Sequence, residues 1–171
     1  EPLYPRDLKE LGRLAVELRV PLAYGEHCST VGDFRDLILA GAASIVEPDA
    51  TICGGITEMV NVGVLCETFG VDLIPHCGGL TVIGLAANLH AAAALPSCRL
   101  FEYDARAEQP LRDKLARGAP LSLDTVSDGC LRIPTTPGLG IEVDEEVLNE
   151  YPYVINEQIA RSFPTYGTPH V

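Results

Sequence analysis

Basic side chains are scarce in this sequence, and their scarcity excludes two classes of partner. The chain has 12 lysine and arginine residues against 24 aspartate and glutamate residues, a formal net charge of −12. Nucleic acids and anionic membrane surfaces are both bound through clustered lysine and arginine, so we expect neither as a partner. A small anionic substrate is compatible with this charge, because a bound divalent cation reverses the field locally.

Long apolar runs and closely paired cysteines are also lacking. The most apolar stretch, residues 81–95, is interrupted by Asn88 and His90 and falls short of the roughly 18 unbroken apolar residues of a membrane span. It predicts a buried helix, in which His90 is structural. The six cysteines form no CxxC pair, which favours free thiols in a protein of the reducing cytoplasm.

What the sequence does contain is a repeated unit of one helix followed by one short apolar strand. Apolar spacing predicts helices at residues 8–18, 34–39, 56–69 and 81–95, and strands at 20–24, 43–46, 71–74 and 99–101. This alternation over residues 1–104 is typical of a parallel α/β sheet. Residues 105–171 lack it and are predicted to form an extended C-terminal segment with a turn at Asp128-Gly129.

A polar side chain follows each predicted strand at the same point of the unit. These residues are Glu26, Asp49, His76 and Glu102, separated by 23, 27 and 26 positions. The carboxyl ends of parallel strands lie on one side of a sheet, where such folds place their active sites. We therefore expect the four side chains to converge there.

The chemistry of these four residues suits removal of a proton next to a carboxylate. Neighbouring strands lie about 4.8 Å apart, so Asp49 can contact His76 and fix the tautomer of an imidazole base. Glu26 is placed to be an oxygen ligand of Mg²⁺, and Glu102 can donate a hydrogen bond if it is protonated. A Lewis acid that stabilises the resulting enediolate makes this reaction feasible at neutral pH.

A set of motifs, in order along the chain, resembles one known family. They are Gly25-Glu26-His27, Glu47-Pro48-Asp49, Cys53-Gly54-Gly55-Ile56-Thr57-Glu58, Pro75-His76-Cys77, Phe101-Glu102, Asp128-Gly129-Cys130-Leu131 and Pro137-Gly138-Leu139-Gly140. The set resembles the mandelate racemase/muconate lactonizing enzyme family of the enolase superfamily, in its mandelate racemase group. The resemblance implies a modified (β/α)7β TIM-type barrel with a capping domain. It also implies Glu26 as a ligand of Mg²⁺, Asp49 and His76 as a catalytic dyad, and Glu102 as a further catalytic residue.

The resemblance covers only the second half of that barrel. The family's other two metal ligands, an aspartate and a glutamate on the third and fourth strands, precede the matched region, and Glu1 matches the position after the usual ligand. We therefore expect this chain to be part of a longer enzyme and to be inactive alone. In the intact protein, the C-terminal segment is expected to pack on the capping domain, and the enzyme is expected to be a homo-oligomer.

The favoured function is dehydration of a sugar acid, an aldonate or an aldarate, to a 2-keto-3-deoxy acid. A His–Asp dyad without a visible second base can remove the α-proton and then help to expel the β-hydroxyl. Two alternatives stay open at this point. The protein can be a racemase or epimerase of a 2-hydroxy acid, or a non-catalytic half-barrel subunit that docks on a partner.

Each candidate residue also has a structural interpretation. His76 can be a core histidine with satisfied hydrogen bonds, and Asp49 can be the N-cap of the following helix. Glu102 can form a salt bridge with Arg99 or Arg106. His27 either contacts the substrate or lies in a solvated loop.

Two other ligand classes are weaker alternatives. Zinc is conceivable at the strand ends, through His27, Cys28, Cys53, His76 and Cys77, although their spacing matches no structural zinc pattern. The Gly54-Gly55 pair either cradles a phosphate or forms a close-packed turn. No lysine follows as in a P-loop, which favours the turn.

Overall fold

The computed structural model describes residues 7–78 and 80–152, and at its centre lies a parallel sheet of three short strands. They are β1 (Ala23–Tyr24), β2 (Ile45–Val46) and β3 (Asp72–Leu73), arranged in the order β1-β2-β3. Tyr24 pairs with Val46, and Val46 pairs with Leu73, so all three strands end at the same edge. The predicted parallel α/β class is confirmed.

Helices precede and separate the strands, as predicted. They are α1 (Leu8–Glu17), α2 (Val31–Leu39), α3 (Ile56–Phe69) and α4 (Val82–Ala93). Their ends follow local sequence signals. The Asp7 side chain accepts hydrogen bonds from backbone N–H groups of the first turn of α1, and Thr30 and Asp33 form a capping box at α2. Gly70 ends α3 with a φ of 66°, a conformation that glycine adopts at little cost.

One apolar core joins the sheet to α1, α2 and α3. Tyr24, Val46 and Leu73, one from each strand, are buried together with Phe34 of α2 and Met59 of α3. Full burial of a side chain of this size stabilises a fold by about 1.5–3 kcal/mol. This core therefore fixes the strand ends from which the candidate site residues extend.

The fourth predicted strand, at residues 99–101, is wrong. Within the described part of the chain, one backbone hydrogen bond joins β3 to this region, from the N–H of Leu73 to the carbonyl of Ser97 at 3.4 Å. Leu100 is 67% exposed. An apolar run becomes a strand only if a neighbouring strand forms a series of backbone hydrogen bonds with it. Here the pairing is limited to the hydrogen bond between Leu73 and Ser97.

The C-terminal segment packs against α4 through a second apolar cluster. Leu115 and Leu121 are buried there with Val82 and Leu85 of α4. The segment contains α5 (Pro110–Asp113), a 3-10 helix (Leu123–Thr125) and α6 (Glu145–Glu150), and an antiparallel bridge joins Ala116 to Val143. The segment is thus attached to the α/β unit that precedes it.

The turn predicted at Asp128-Gly129 is confirmed. Both residues have a positive φ, of 52° and 71°. Ser127 and Cys130 on either side exchange two backbone hydrogen bonds, of 2.9 and 2.8 Å. This geometry is that of a two-residue hairpin, for which an Asp-Gly pair is favoured.

Several expectations stay predictions. They are the half-barrel, the division of the chain at residue 104 and the packing of the C-terminal segment on a capping domain. Glu1 and residues 153–171 lie outside the described residues. Among the helices of residues 7–78 and 80–152, none has the length and apolar character needed to cross a membrane.

Candidate active site

Three polar side chains follow the three strands at one edge of the sheet. Glu26 lies after β1, Asp49 after β2 and His76 after β3. Strand-like pairing continues beyond the strands themselves, because the N–H of His76 donates to the carbonyl of Pro48 at 3.0 Å. The backbone therefore holds the last two site residues side by side.

His76 lies between two carboxylates. Its Nδ1 atom is 3.4 Å from Oδ2 of Asp49, and its Nε2 atom is 3.1 Å from Oε2 of Glu26. The imidazole is 20% exposed and can be reached from solvent. The structure thus brings together three of the four predicted residues in direct contact, while their catalytic and metal-binding roles stay predictions.

This position favours the protonated form of His76. The hydrogen bond with Asp49 raises the pKa of the imidazole above its usual value, against the opposing effect of burial. The nearby carboxylates of Glu26 and Glu102 raise this pKa further. An imidazolium in this position donates towards a carboxylate from each of its nitrogens.

Asp49 is 1% exposed, and its two oxygens have different partners. Oδ1 accepts hydrogen bonds from the N–H and the hydroxyl of Thr51, both at 2.8 Å, and from Nδ2 of Asn88 at 3.1 Å. Oδ2 faces His76. Burial alone would raise the pKa of Asp49, but the hydrogen bonds from His76, Thr51 and Asn88 outweigh burial and lower it. Asp49 is therefore held as a carboxylate.

The N-cap interpretation of Asp49 is wrong. Helix α3 begins at Ile56, and the residue at its N-cap is Gly55. Gly54 and Gly55 have φ values of 103° and 100°, and the N–H of Gly55 donates to the carbonyl of Ala50 at 3.0 Å. The glycine pair thus forms a tight turn between the Asp49 loop and α3. The sequence favoured this turn over a phosphate cradle, because no lysine follows the pair as in a P-loop.

Glu102 reaches the same region, although no strand precedes it. Its Oε2 accepts a 3.0 Å hydrogen bond from the N–H of Cys77, the residue after His76. The proposed salt bridge with Arg106 is not formed, because the Nε of Arg106 donates to Oδ1 of Asp104 at 2.9 Å. As a backbone acceptor, the Glu102 carboxylate is held beside the loop that carries His76.

A buried arginine anchors the chain that follows Glu102. Arg112 is 3% exposed; its guanidinium donates to the carbonyls of Asp104 and Arg106 and lies 5.2 Å from the ring centre of Tyr103. The Tyr103 hydroxyl donates to the carbonyl of Leu121 at 2.8 Å. These contacts replace the missing strand as the means of fixing this segment.

His27 lies beside the site. Its Nε2 atom is 3.3 Å from Oε1 of Glu26, so each oxygen of that carboxylate faces an imidazole. The ring of His27 is partly exposed. A contact between His27 and substrate stays a prediction.

Sequence reasoning missed three residues that surround this site. Burial raises the pKa of Glu47, and so do the nearby carboxylates of Glu102 and Glu26, which places a fourth acid in this region. A Cβ at Gly78 would lie 2.9 Å from Nε2 of His76, so only glycine allows this approach. Asn88 binds Asp49 from α4. A polar residue in an otherwise apolar helix was the available signal for Asn88.

The described residues do not complete a metal site by themselves. Among residues 7–78 and 80–152, no three histidine, cysteine, aspartate or glutamate side chains are grouped to hold a metal ion. Glu26 offers the carboxylate chemistry that Mg²⁺ prefers, but as one ligand only. Within this part of the chain, the histidines and cysteines of the zinc alternative do not form such a group either.

Comparison with known proteins adds family information to this geometry. The family model for "Enolase C-terminal domain-like" proteins matches residues 1–147. D-galactonate dehydratase of Ralstonia pickettii is 35% identical over 156 residues, which cover 88% of this chain and 39% of the relative. Arabinonate dehydratase of Saccharolobus solfataricus is 38% identical over 153 residues, with the same coverage of each chain. The chain spans about two fifths of the length of these curated relatives.

Solved structures agree. The mandelate racemase/muconate lactonizing enzyme from Sulfitobacter superimposes with a TM-score of 0.81 at 31% identity, over 91% of this chain and 37% of that one. A member of the enolase superfamily from Polaromonas gives a TM-score of 0.78 at 33% identity, over 90% of this chain and 40% of the other. The fold and the sequence thus point to the same group of proteins.

Proposed function

The chain belongs to the enolase C-terminal domain-like family, with the mandelate racemase/muconate lactonizing enzymes of the enolase superfamily, and on that basis we propose that the intact protein dehydrates a sugar acid. The observation that carries the proposal is the position of His76, whose Nδ1 faces the buried Asp49 carboxylate while Nε2 faces Glu26 and the imidazole stays 20% exposed. The names of two relatives, D-galactonate and arabinonate dehydratase, support an aldonate as substrate.

In the proposed reaction, His76 first releases the proton that the nearby carboxylates favour, and its Nε2 then takes the proton from the carbon next to the substrate carboxylate. The C–H electrons move into an enediolate. Asp49 stabilises the imidazolium that forms, because its Oδ2 faces Nδ1. For Nε2 to receive this proton, the Glu26 carboxylate must leave the position that it occupies in the structure, 3.1 Å away.

The second step expels the β-hydroxyl. The imidazolium of His76 returns its proton to this hydroxyl, the C–O bond breaks and water departs. The enol that remains takes a proton from solvent at C3, releases the proton of its C2 hydroxyl to solvent and becomes the 2-keto-3-deoxy acid. One imidazole therefore serves as base and then as acid. Glu102, held beside Cys77, is proposed to donate a hydrogen bond to the substrate carboxylate from its protonated carboxyl group.

Glu26 is proposed as one ligand of Mg²⁺ in the intact protein, with the remaining ligands outside the described residues. A bound Mg²⁺ would supply Lewis-acid stabilisation of the charge on the substrate carboxylate. The cytoplasmic location and the homo-oligomer stay predictions.

The test is turnover by the intact protein, as its gene encodes it, supplied with Mg²⁺. D-galactonate, arabinonate and other aldonates and aldarates are incubated with it, and the 2-keto-3-deoxy acid is detected as its semicarbazone. We expect His76→Asn to abolish turnover and His90→Asn, a matched histidine change on α4, to retain it. If no acid yields product, the proposal is wrong. Exchange of the α-proton with deuterium oxide and inversion at that carbon, without water loss, would indicate a racemase.

A further inference from the structure

Asn88 is a buried amide that joins α4 to the loops after β2 and β3. Its Oδ1 accepts a 2.8 Å hydrogen bond from the N–H of Ala50, and its Nδ2 lies 3.1 Å from Oδ1 of Asp49 and 3.4 Å from the carbonyl of His76. The side chain is fully buried, at 0% exposure. Its acceptor and both of its amide protons thus have partners in the candidate site.

The apolar surroundings of Asn88 argue against a purely space-filling role. Its neighbours Ala86, Leu89 and Ala91 on α4 are buried and apolar. An amide in such a position is stabilising only if its polar groups are paired, since an unpaired one carries the full cost of desolvation. Every pairing of Asn88 is made with the loops that carry the proposed dyad.

The hydrogen bonds of Asn88 also help to give the two oxygens of Asp49 different partners. Thr51 and Asn88 together bind Oδ1, which leaves Oδ2 as the oxygen presented to His76. A rotation of the carboxylate about its Cβ–Cγ bond would break the bonds at Oδ1. The plane of the carboxylate, and with it the direction from which Nδ1 of His76 is contacted, is therefore set by Thr51 and by Asn88 of α4 together.

We infer that Asn88 is a positioning residue of the proposed active site, which fixes the orientation of the Asp49 carboxylate towards His76 and holds the β2 and β3 loops in register. This inference rests on the proposed function for its kinetic consequence. Its structural content, that one amide joins the two loops, is separate from that function.

The first experiment compares variants of the intact protein with Mg²⁺ and D-galactonate. Asn88→Leu keeps the approximate volume and removes all the hydrogen bonds. Asn88→Asp keeps the acceptor for Ala50 and replaces the donor to Asp49 by a second carboxyl group. Val62→Ala is the control, because it truncates a fully buried side chain of α3 that has no polar contact with the site.

We expect both Asn88 variants to lower kcat by about 10- to 100-fold, the usual effect of removing a group that orients a site residue. KM should stay within about threefold, because Asn88 is fully buried and acts through Asp49. Val62→Ala should keep the kcat of the wild-type protein per folded molecule, although its Tm falls. If kcat of Asn88→Leu stays within about twofold of the wild type, or falls only with the folded fraction, the inference is wrong.

The second experiment measures hydrogen exchange of the Ala50 N–H in the folded protein and needs no substrate. Asn88→Leu should speed exchange of this N–H by at least about tenfold relative to wild type, while Asn88→Asp should retain its protection. Unchanged exchange in Asn88→Leu overturns the inference whatever the activity. If the wild type dehydrates no sugar acid, the proposed function fails, and the exchange result alone then decides whether Asn88 joins the loops.

Discussion

The N–H of Cys77 donates a 3.0 Å hydrogen bond to Oε2 of Glu102, and this contact ties the last candidate residue to the loop of His76. It forms although residues 99–101 make no strand. The position of Glu102 is therefore set by a side chain–backbone contact and by the Arg112 anchor, and both can be probed separately from the chemistry of the carboxyl group.

Replacement of Glu102 by glutamine should separate its structural contact with Cys77 from the chemistry of its carboxyl group. Glu102→Gln keeps an oxygen that can accept from Cys77, so we expect little change in Tm and a kcat lower by about 100-fold, as for loss of a positioned acid. Glu102→Ala also removes the acceptor and should cost about 1 kcal/mol of unfolding free energy. Urea unfolding and turnover measure the two effects. Equal stability of the two variants would contradict the structural role.

Gly78 is expected to be sensitive because of its contact with the imidazole. In Gly78→Ala, the new Cβ would lie 2.9 Å from Nε2 of His76, so the ring must move. We expect kcat to fall by about tenfold or more, since small displacements of a reacting group are costly, and Tm to change little because Gly78 is exposed. Turnover and thermal unfolding measure these effects.

Gly32→Ala in α2 is the control for this change. Its new Cβ would meet the Thr30 hydroxyl oxygen at 3.5 Å, an ordinary contact distance. This variant should keep wild-type kcat and gain slightly in stability, since alanine favours a helix over glycine. A Gly78→Ala protein as active as Gly32→Ala would show that His76 tolerates the displacement.

The Asp104–Arg106 pair should contribute to stability in a defined acidic range. Hydrogen bonds from Arg106 lower the pKa of Asp104 to about 2, below the value of about 3.9 for an unfolded aspartate. A lowered pKa means that the contribution is complete above about pH 4 and is lost as the pH falls towards 2. The difference in Tm between wild type and Asp104→Asn should therefore shrink over this range. A constant difference from pH 5 to pH 2 would contradict it.

Thiol reactivity should follow burial. Cys130 is exposed at the hairpin turn, whereas Cys28, Cys53, Cys66 and Cys77 are buried. Burial raises the pKa of Cys66 to about 12, which leaves almost no thiolate at neutral pH. We expect one fast reaction with a disulfide reagent in the native protein, at Cys130, and a slower one at the partly buried Cys98, whose pKa is raised by burial. In denaturant, all six thiols of this chain should react. Cys130→Ser should remove the fast phase; its persistence would contradict the exposure pattern.

Much of the α/β part of the fold could be predicted because each unit carries its own signals. Apolar spacing locates α3 to the residue, and strand-end polar residues appear where Asp49 and His76 lie. The strand at 99–101 was wrong because an apolar run does not reveal whether a partner backbone is available. Strand formation at an edge depends on a neighbour, which local sequence does not specify.

The candidate site was only partly predictable for a related reason. Glu26, Asp49 and His76 each follow a strand at the same point of the repeated unit. This predicts that they meet, because the carboxyl ends of parallel strands lie at the same edge of the sheet. The repeated unit says nothing of Asn88, which appeared only as an interruption in an apolar helix. The partner of a buried amide depends on how α4 is rotated against the sheet, and that rotation results from packing over the whole core.

Helix α4 contacts both the candidate active site and the C-terminal segment. Asn88 faces the dyad, while Nε2 of His90, two residues later, lies 3.1 Å from the carbonyl of Leu139 in the C-terminal segment. The strand edge and the C-terminal segment thus share one rigid support. An engineer who transplants the C-terminal segment from a relative must therefore bring a compatible α4 with it, so that the contact between His90 and Leu139 is kept.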